Sequence, residues 1–365
     1  MEKKAKIAIK VIAVIVVLLI AYLMLPYIMG VVENPPGSTI IVLPKKINFE
    51  FERIVDISAG SFTVNFTIPE NNTFQHIVVN DLSNEIKTVH HAYNKTWWSY
   101  SSVGSARYIL RYNGTTFLKV WNIKNSEDAS SIPESLKRQY NHAEFIDVGD
   151  GTRKVVIDPA PFRSVTLNIT SAKHGVVNKL RAIYDVIVKN FKYKTERNGM
   201  PRSAVETWNS GSGDCDELSF VFVSMARSIG IPAWMEYGLL YDGHTWVGHA
   251  WVRSVIPHDG SVEEVNIDVT MEVGREDLGR GFLIRDPYRI TLWVEDGNSK
   301  HLSAYYRYIT YTTPPPLDYN EEVKVIYLKE SDNVTVPVGE TIPSWLMLLI
   351  VLLIIMVVIV IIIRW

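Results

Sequence analysis

The chain has 365 residues, of which 47% are hydrophobic, 21% charged and 11% aromatic, and its formal net charge is −2 at pH 7. That mix excludes a disordered tail protein and a collagen-like fibre. A mildly acidic balance without a basic run also argues against nucleic acid as a partner.

The mean hydropathy is close to zero, but the apolar residues are unevenly spread. Residues 7–32 form one long apolar run, interrupted by Lys10, Pro26 and Gly30. Residues 343–363 form a second, unbroken from Leu346 to Ile363. Each is long enough for a helix crossing a hydrocarbon core, which takes about 20 residues. The first exceeds the about 7–15 residues of a signal-peptide h-region, and no A-x-A-like site follows Tyr27-Ile28-Met29. An uncleaved anchor is expected. Lys3, Lys4, Lys6 and Lys10 place the N-terminus inside, and Trp345 and Trp365 bracket the second span as interfacial aromatics do. The expected topology is a two-pass cell-membrane protein with both termini cytoplasmic and residues 33–342 outside. Six N-x-Thr sequons (Asn65, Asn71, Asn94, Asn113, Asn168, Asn333) fit that location. All avoid Gly175–Glu330, so a glycoprotein would carry its glycans mainly on the front of the chain.

Residues 33–342 exceed the roughly 100–200 residues of a single domain, so two modules are expected. Residues 33–173 read as β-rich. Phe62–Ile68 alternates, Tyr108–Tyr112 is rich in strand formers, Asn113-Gly114 signals a hairpin turn, and Lys154–Ile157 is a short apolar strand. His90 and His91 have no second ligand pair spaced to join them, so no metal site is expected there. After His174 the period changes. Val176, Val177, Leu180, Ile183, Tyr184, Ile187, Val188 and Phe191 recur at helical spacing and open the second module.

The one cysteine, Cys215, has no partner for an internal disulfide. An isolated cysteine is usually a small buried hydrophobe; its position argues otherwise. A Gly/Ser-rich loop, Asn209–Gly213, ends where the apolar run from Leu218 begins, and Gly230-Ile231-Pro232 closes that run as a helix C-terminus should. Asp214 and Glu217 have the spacing of a capping box. Cys215 is then the first residue of a buried helix, where the dipole and free N–H groups favour a thiolate and can hold an oxyanion.

Short strands follow. His249 lies inside an otherwise apolar strand, Gly248–Arg253, and Asp268 inside the next, Val265–Thr270. A buried polar residue needs a partner. If the strands are antiparallel neighbours, Asp268 can face His249 and fix its tautomer, leaving the other nitrogen for a thiol. His244 competes as the base, but at five residues from His249 it points to the opposite strand face and lies beside a turn. A metal reading of Asp214, Asp216 and Glu217 is weaker, because these acids suit a helix cap.

Four blocks now agree in order and spacing: Gly213-Asp-Cys215-Asp-Glu-Leu-Ser, Ala226-Arg-Ser-Ile-Gly-Ile-Pro-Ala233, Gly248-His249-Ala-Trp-Val252 and Ile267-Asp268-Val-Thr270. Together they resemble the transglutaminase-like (transglutaminase-core) superfamily of papain-type thiol enzymes, over about residues 174–295, in a layout like that of membrane-anchored prokaryotic, archaeal-type members. Val269 stands where that family often has Pro. The resemblance implies an α+β fold: a papain-like core, with the Cys-bearing helix packed on an antiparallel sheet, after the β-rich module and between two transmembrane helices. The implied division is an anchor at 1–32, a β-rich module at 33–173, a core at 174–310, a juxtamembrane linker or strand at 311–342 and a second span at 343–363. It also implies a Cys215, His249, Asp268 triad that cleaves or transfers amide and peptide bonds of a protein or peptide at the cell surface. No metal or organic cofactor is implied, and the enzyme is a cysteine-dependent acyl transferase or hydrolase. Cys215 N–H is one oxyanion donor, and Trp208 is a guess for the second. The alternative is a non-catalytic module of the same fold that binds a cell-surface protein or glycan.

Overall fold

The computed structural model describes residues 39–149, 151–195, 200–271, 280–306, 309–311 and 318–338. The two apolar runs expected to span the membrane lie outside these residues. Among the described residues, no helix is long and apolar enough to cross a membrane. Residues 42–334 form one compact unit.

The described residues begin with strands β1 (Thr39–Thr67), β2 (Gln75–Asp81), β3 (Lys87–Ala92) and β4 (Lys95–Phe117). β1 and β4 pair antiparallel from Lys46↔Phe117 to Thr67↔Trp97. From Ile47 on, the buried hydrophobic side chains of β1 are odd-numbered up to Ile57 (Ile47, Phe49, Phe51, Val55) and even-numbered after it (Phe62, Val64, Phe66). A register shift between Ala59 and Ser61 makes the exchange. One inserted residue flips every later side chain, so the bulge keeps both halves of this long strand on one apolar face. Gly104, opposite Ala59, takes φ +84° there, a conformation that other residues rarely adopt.

Two short helices follow, α1 (Glu134–Tyr140) and, after the hairpin β5 (Glu144–Gly149) and β6 (Thr152–Ile157), α2 (Arg163–Thr170). The sequence shows only strands and turns here. α1 buries only Tyr140, and α2 only Thr166 and Thr170, so neither carries an apolar stripe to betray its period.

Helix α3 (Val176–Asn190) buries Val176, Val177, Leu180, Ile183, Tyr184, Ile187 and Val188, the stripe read from the sequence. α4 (Ala204–Ser210) opens with a Ser203–Glu206 capping box. α5 (Cys215–Ser228) opens with the Asp214–Glu217 box. It ends with Ile231 N–H bonded to Ala226 C=O and Gly230 N–H to Arg227 C=O, with Gly230 at φ +82°, the paired bonds of a glycine-terminated helix. Four strands receive it: β7 (Ala233–Tyr241), β8 (Trp246–His258), β9 (Ser261–Ile267) and β10 (Arg289–Val294), in the order β9-β8-β7-β10. After α6 (Ser299–Tyr306), β11 (Ile309–Tyr311) and β12 (Asp318–Val338) return to the first sheet and pair with β1.

Two apolar clusters result. One gathers the helices and the four-stranded sheet, and takes in residues from Trp121 through Phe162. The other fills the face of the front sheet, and Leu239, Trp246, Ile290 and Leu292 enter it from the core sheet. Trp246 lies 5.0 Å from the Phe49 ring and 5.4 Å from that of Phe51. Buried aromatic pairs of this kind contribute about 0.5–1.5 kcal/mol beyond their area. The front sheet is thus packed on the end of β8 that leads to His249.

Candidate active site

Cys215 is the first residue of α5 and is half-buried. Its neighbouring acids have protein partners. Asp214 caps the helix, accepting from Glu217 N–H. Glu217 is buried and holds Arg202 at 2.7 Å. Asp216 accepts from the Tyr306 hydroxyl at 2.7 Å, and Tyr306 in turn meets Tyr237 at 3.1 Å. Cap and pair bonds therefore account for the carboxylates that a metal reading would need.

His249 lies on β8, and Asp268 is the residue that follows the end of the neighbouring strand β9. β8 and β9 pair with Val252 opposite Ile267. Continuing that register one residue sets Asp268 opposite Trp251, two residues from His249 and on the same face. The sequence condition is met: His249 Nε2 lies 2.8 Å from Asp268 Oδ2. An Nε2–H donated to Asp268 leaves Nδ1 as the proton acceptor. Asp268 is fully buried and well supplied with donors. Thr270 gives its N–H (3.0 Å) and hydroxyl (2.7 Å) to Oδ1, and Arg289 Nη2 lies 3.0 Å from Oδ2. Burial raises its pKa, but His249 and Arg289 outweigh this and hold the carboxyl well below its usual range.

The thiol side differs. Burial pushes the Cys215 thiol well above its ordinary pKa, and the Asp216 and Asp214 carboxyls add to the effect. The Ala250 N–H faces the sulfur and works the other way. A resting thiolate was expected from the helix start alone; desolvation and two acids overrule the dipole. Asp214 itself is pushed up to about 8, first by burial and then by sharing a hydrogen bond with Asp216.

A cavity of about 660 Å3 unites these parts. Cys215, His249, Asp214, Asp216, Tyr237 and Tyr306 lie on its wall, and so does Tyr193. Lys192–Tyr193 runs parallel to Ser212–Gly213, which sets Tyr193 beside the Cys215 loop. Ala250, the neighbour of His249, lines the same cavity.

His244 is exposed in the turn before β8, its N–H held by Asp242, and it does not line the cavity. Trp208 does not line it either; its ring packs against Phe162 and Phe191. His90 and His91 meet Ser99 and Thr96 on β4. Arg289 was missed by the sequence reading. Its only trace is a charge at the start of the apolar stretch Arg289–Val294, and its partner Asp268 is remote in sequence. Of the sequons, Asn71, Asn94, Asn113, Asn168 and Asn333 are exposed, whereas Asn65 is half-buried and accepts from Ser99.

Residues 163–263 match the family model described as the transglutaminase-like superfamily. The chain therefore carries a transglutaminase-like core in that segment, within an α+β fold. A curated relative, the protein YebA of Bacillus subtilis (strain 168), described as uncharacterized, is 27% identical over 124 residues, which cover 28% of this chain and 17% of YebA. The chain thus spans about a sixth of that relative's length. A solved structure described as a candidate cysteine protease from Cytophaga hutchinsonii is 12% identical with a TM-score of 0.54, covering 83% of this chain and 94% of that one. It shares the fold. The periplasmic domain of TgpA from Pseudomonas aeruginosa, 13% identical with a TM-score of 0.34, covers 62% of this chain and 88% of its own. That superposition is too loose to carry an argument.

Proposed function

We propose that this protein is a cysteine-dependent acyl transferase or hydrolase that opens amide bonds of a protein or peptide through Cys215, His249 and Asp268. The observation that carries the reading is His249, held by buried Asp268 at 2.8 Å, on the wall of the cavity that also holds Cys215 at a helix start.

The thiol proton passes from Cys215 to His249 Nδ1 as the sulfur attacks the carbonyl carbon. The imidazolium is balanced by Asp268, which is held ionised beside it. The Cys215 backbone N–H, free at the first helical position, faces the developing oxyanion. The tetrahedral adduct collapses, the C–N bond breaks, and the amine leaves with the proton from His249. Water, or a second amine, then gives a proton back to His249 and attacks the thioester, which releases the acyl group and restores the thiol. A neutral thiol at rest makes His249 the necessary base, so the pair acts in concert.

The same proposal places the catalytic unit outside a cell membrane, anchored by residues 7–32 and 343–363 with both termini in the cytoplasm; the Lys cluster and the two apolar runs support it. Protease added to intact cells should spare a short tag at either terminus, and loss of either tag contradicts this topology. The chemistry is tested by mass spectrometry of peptides incubated with the purified chain, with and without an added amine. New termini show hydrolysis, a mass gain of the amine shows transfer, and Cys215→Ala should show neither. Turnover retained in Cys215→Ala would favour a non-catalytic fold with a contaminating activity.

A further inference from the structure

Strand β8 has an open edge where it passes the thiol. β7 pairs with it from Trp246 to Ser254, but β9 pairs only from Val252 onward. Among the described residues, Trp246–Trp251 therefore have no strand partner on the β9 side. Asn266 C=O accepts from Leu283 N–H and Asp268 N–H donates to Gly281 C=O, both on the far side of β9. Ile267 between them therefore turns its groups to Val252, and Val252 turns its own to the β9 side. In an extended strand the backbone groups of alternate residues point the same way, so Ala250 and Gly248 direct theirs to the β9 side as well, and both residues line the cavity with Cys215. Gly248 is exposed, and a Cβ placed on it would meet nothing within 4 Å. Among the described residues no strand takes up these backbone groups, and an unpaired edge of this kind suits another strand.

The rest of the cavity wall is not part of the matched segment 163–263. Arg53 on β1 and Glu321 on β12 line it as an ion pair at 2.6 Å, together with Val323. The Thr245 hydroxyl bonds the Val323 carbonyl at 3.1 Å, which ties β12 to the turn leading into β8. Trp246, Gly248 and Ala250 share one face of β8, and Trp246 is packed into the front sheet's cluster. The missing side chain at Gly248 thus leaves the space between the thiol and the front sheet unfilled.

We infer that the front sheet and β12 form the substrate-selecting wall of the cleft, and that the substrate is an extended polypeptide whose backbone adds to β8 at Gly248 while its side chains meet Arg53, Glu321 and Val323. A polypeptide strand is the ligand class whose N–H and C=O groups repeat with the period of that edge. This inference rests on the thiol-enzyme reading and assigns that site its substrate class and its selecting residues.

The test compares an unfolded labelled polypeptide with a small chromogenic ester, using the purified full-length chain. Val323→Trp narrows the wall, and Gly248→Ala adds a methyl on the strand face that the substrate's side chains would cross on their way to the front sheet. Each should lower the ratio of kcat/KM for polypeptide to that for ester by about tenfold, the scale on which one methylene in a pocket discriminates, with the loss mainly in KM. Ile326→Trp, exposed on the same strand but outside the cavity, should keep the parental ratio. Should Val323→Trp lack a cooperative melting transition, Gly248→Ala decides alone. Turnover that depends on Cys215 but keeps the parental ratio in the wall variants overturns this inference. Turnover that survives Cys215→Ala overturns the thiol reading beneath it.

Discussion

Two carboxyl groups, Asp214 on the cleft wall and Asp268 buried behind His249, are driven in opposite directions. Asp268 is fully buried, yet His249 and Arg289 hold it ionised. Asp214 is less buried, yet it shares a hydrogen bond with another acid, Asp216, and its carboxyl is pushed up to about 8. Burial raises both; the sign of the neighbour decides the outcome. The imidazole side of the site is built to carry charge, and the thiol side is built to resist it. Such a site keeps its nucleophile neutral until the base takes the proton, which ties formation of the thiolate to the presence of a working His249–Asp268 pair.

The comparison is broken most severely at Asp268. Asp268→Asn keeps the shape but removes the charge and favours the wrong imidazole tautomer. Turnover of a small ester should fall by roughly 10²–10⁴-fold, the range of orienting and acid–base groups. A loss under threefold in steady-state kinetics would show that the pair is structural only.

Asp214→Asn sharpens the other half. Asparagine is as good a helix cap as aspartate, so the helix start should persist. In the parent, the Asp214 pKa rises from about 3.9 in the unfolded chain to about 8 in the fold. A raised group contributes stability that is full below the unfolded value and is lost as pH climbs through the folded one. Asp268 has the opposite sign: its contribution is present above about pH 4 and is lost as pH falls through its depressed value. Melting temperatures between pH 4 and pH 8 should therefore decline less in Asp214→Asn than in the parent. The midpoint for iodoacetamide labelling of Cys215 should also move to lower pH, because one of the acids that raise the thiol is gone. Identical melting and labelling profiles would contradict the account of the thiol side.

The smallest effect belongs to His244. It is exposed in the turn before β8 and does not line the cavity, so His244→Ala should stay within a few-fold of the parent in ester turnover. A dead His244→Ala beside an active His249→Ala would reverse the assignment of the base.

What the sequence made legible was what depends on near neighbours. The Asp214–Glu217 box and the Gly230-Ile231-Pro232 stop fix both ends of α5 within a few residues, and helix and caps appear where the pattern sets them. The His249–Asp268 contact was legible as a condition, because strand alternation gives the faces but not the pairing. Arg289 was not legible, since its place beside Asp268 depends on where β10 lands in the sheet. Nor was the neutral thiol: the helix start is local, but the desolvation of Cys215 comes from packing by distant segments. The Ala59–Ser61 bulge hid in the same way, as a change of parity that makes sense only once β4 is opposite β1.

The most direct test of the account is the intact mass of the protein after brief mixing with an activated ester and acid quench. The expected result is the mass gain of one acyl group, mapped by fragmentation to Cys215, absent from His249→Ala and formed far more slowly in Asp268→Asn. An adduct at another residue, or one formed at the parental rate in His249→Ala, would contradict catalysis by the Cys215–His249 pair.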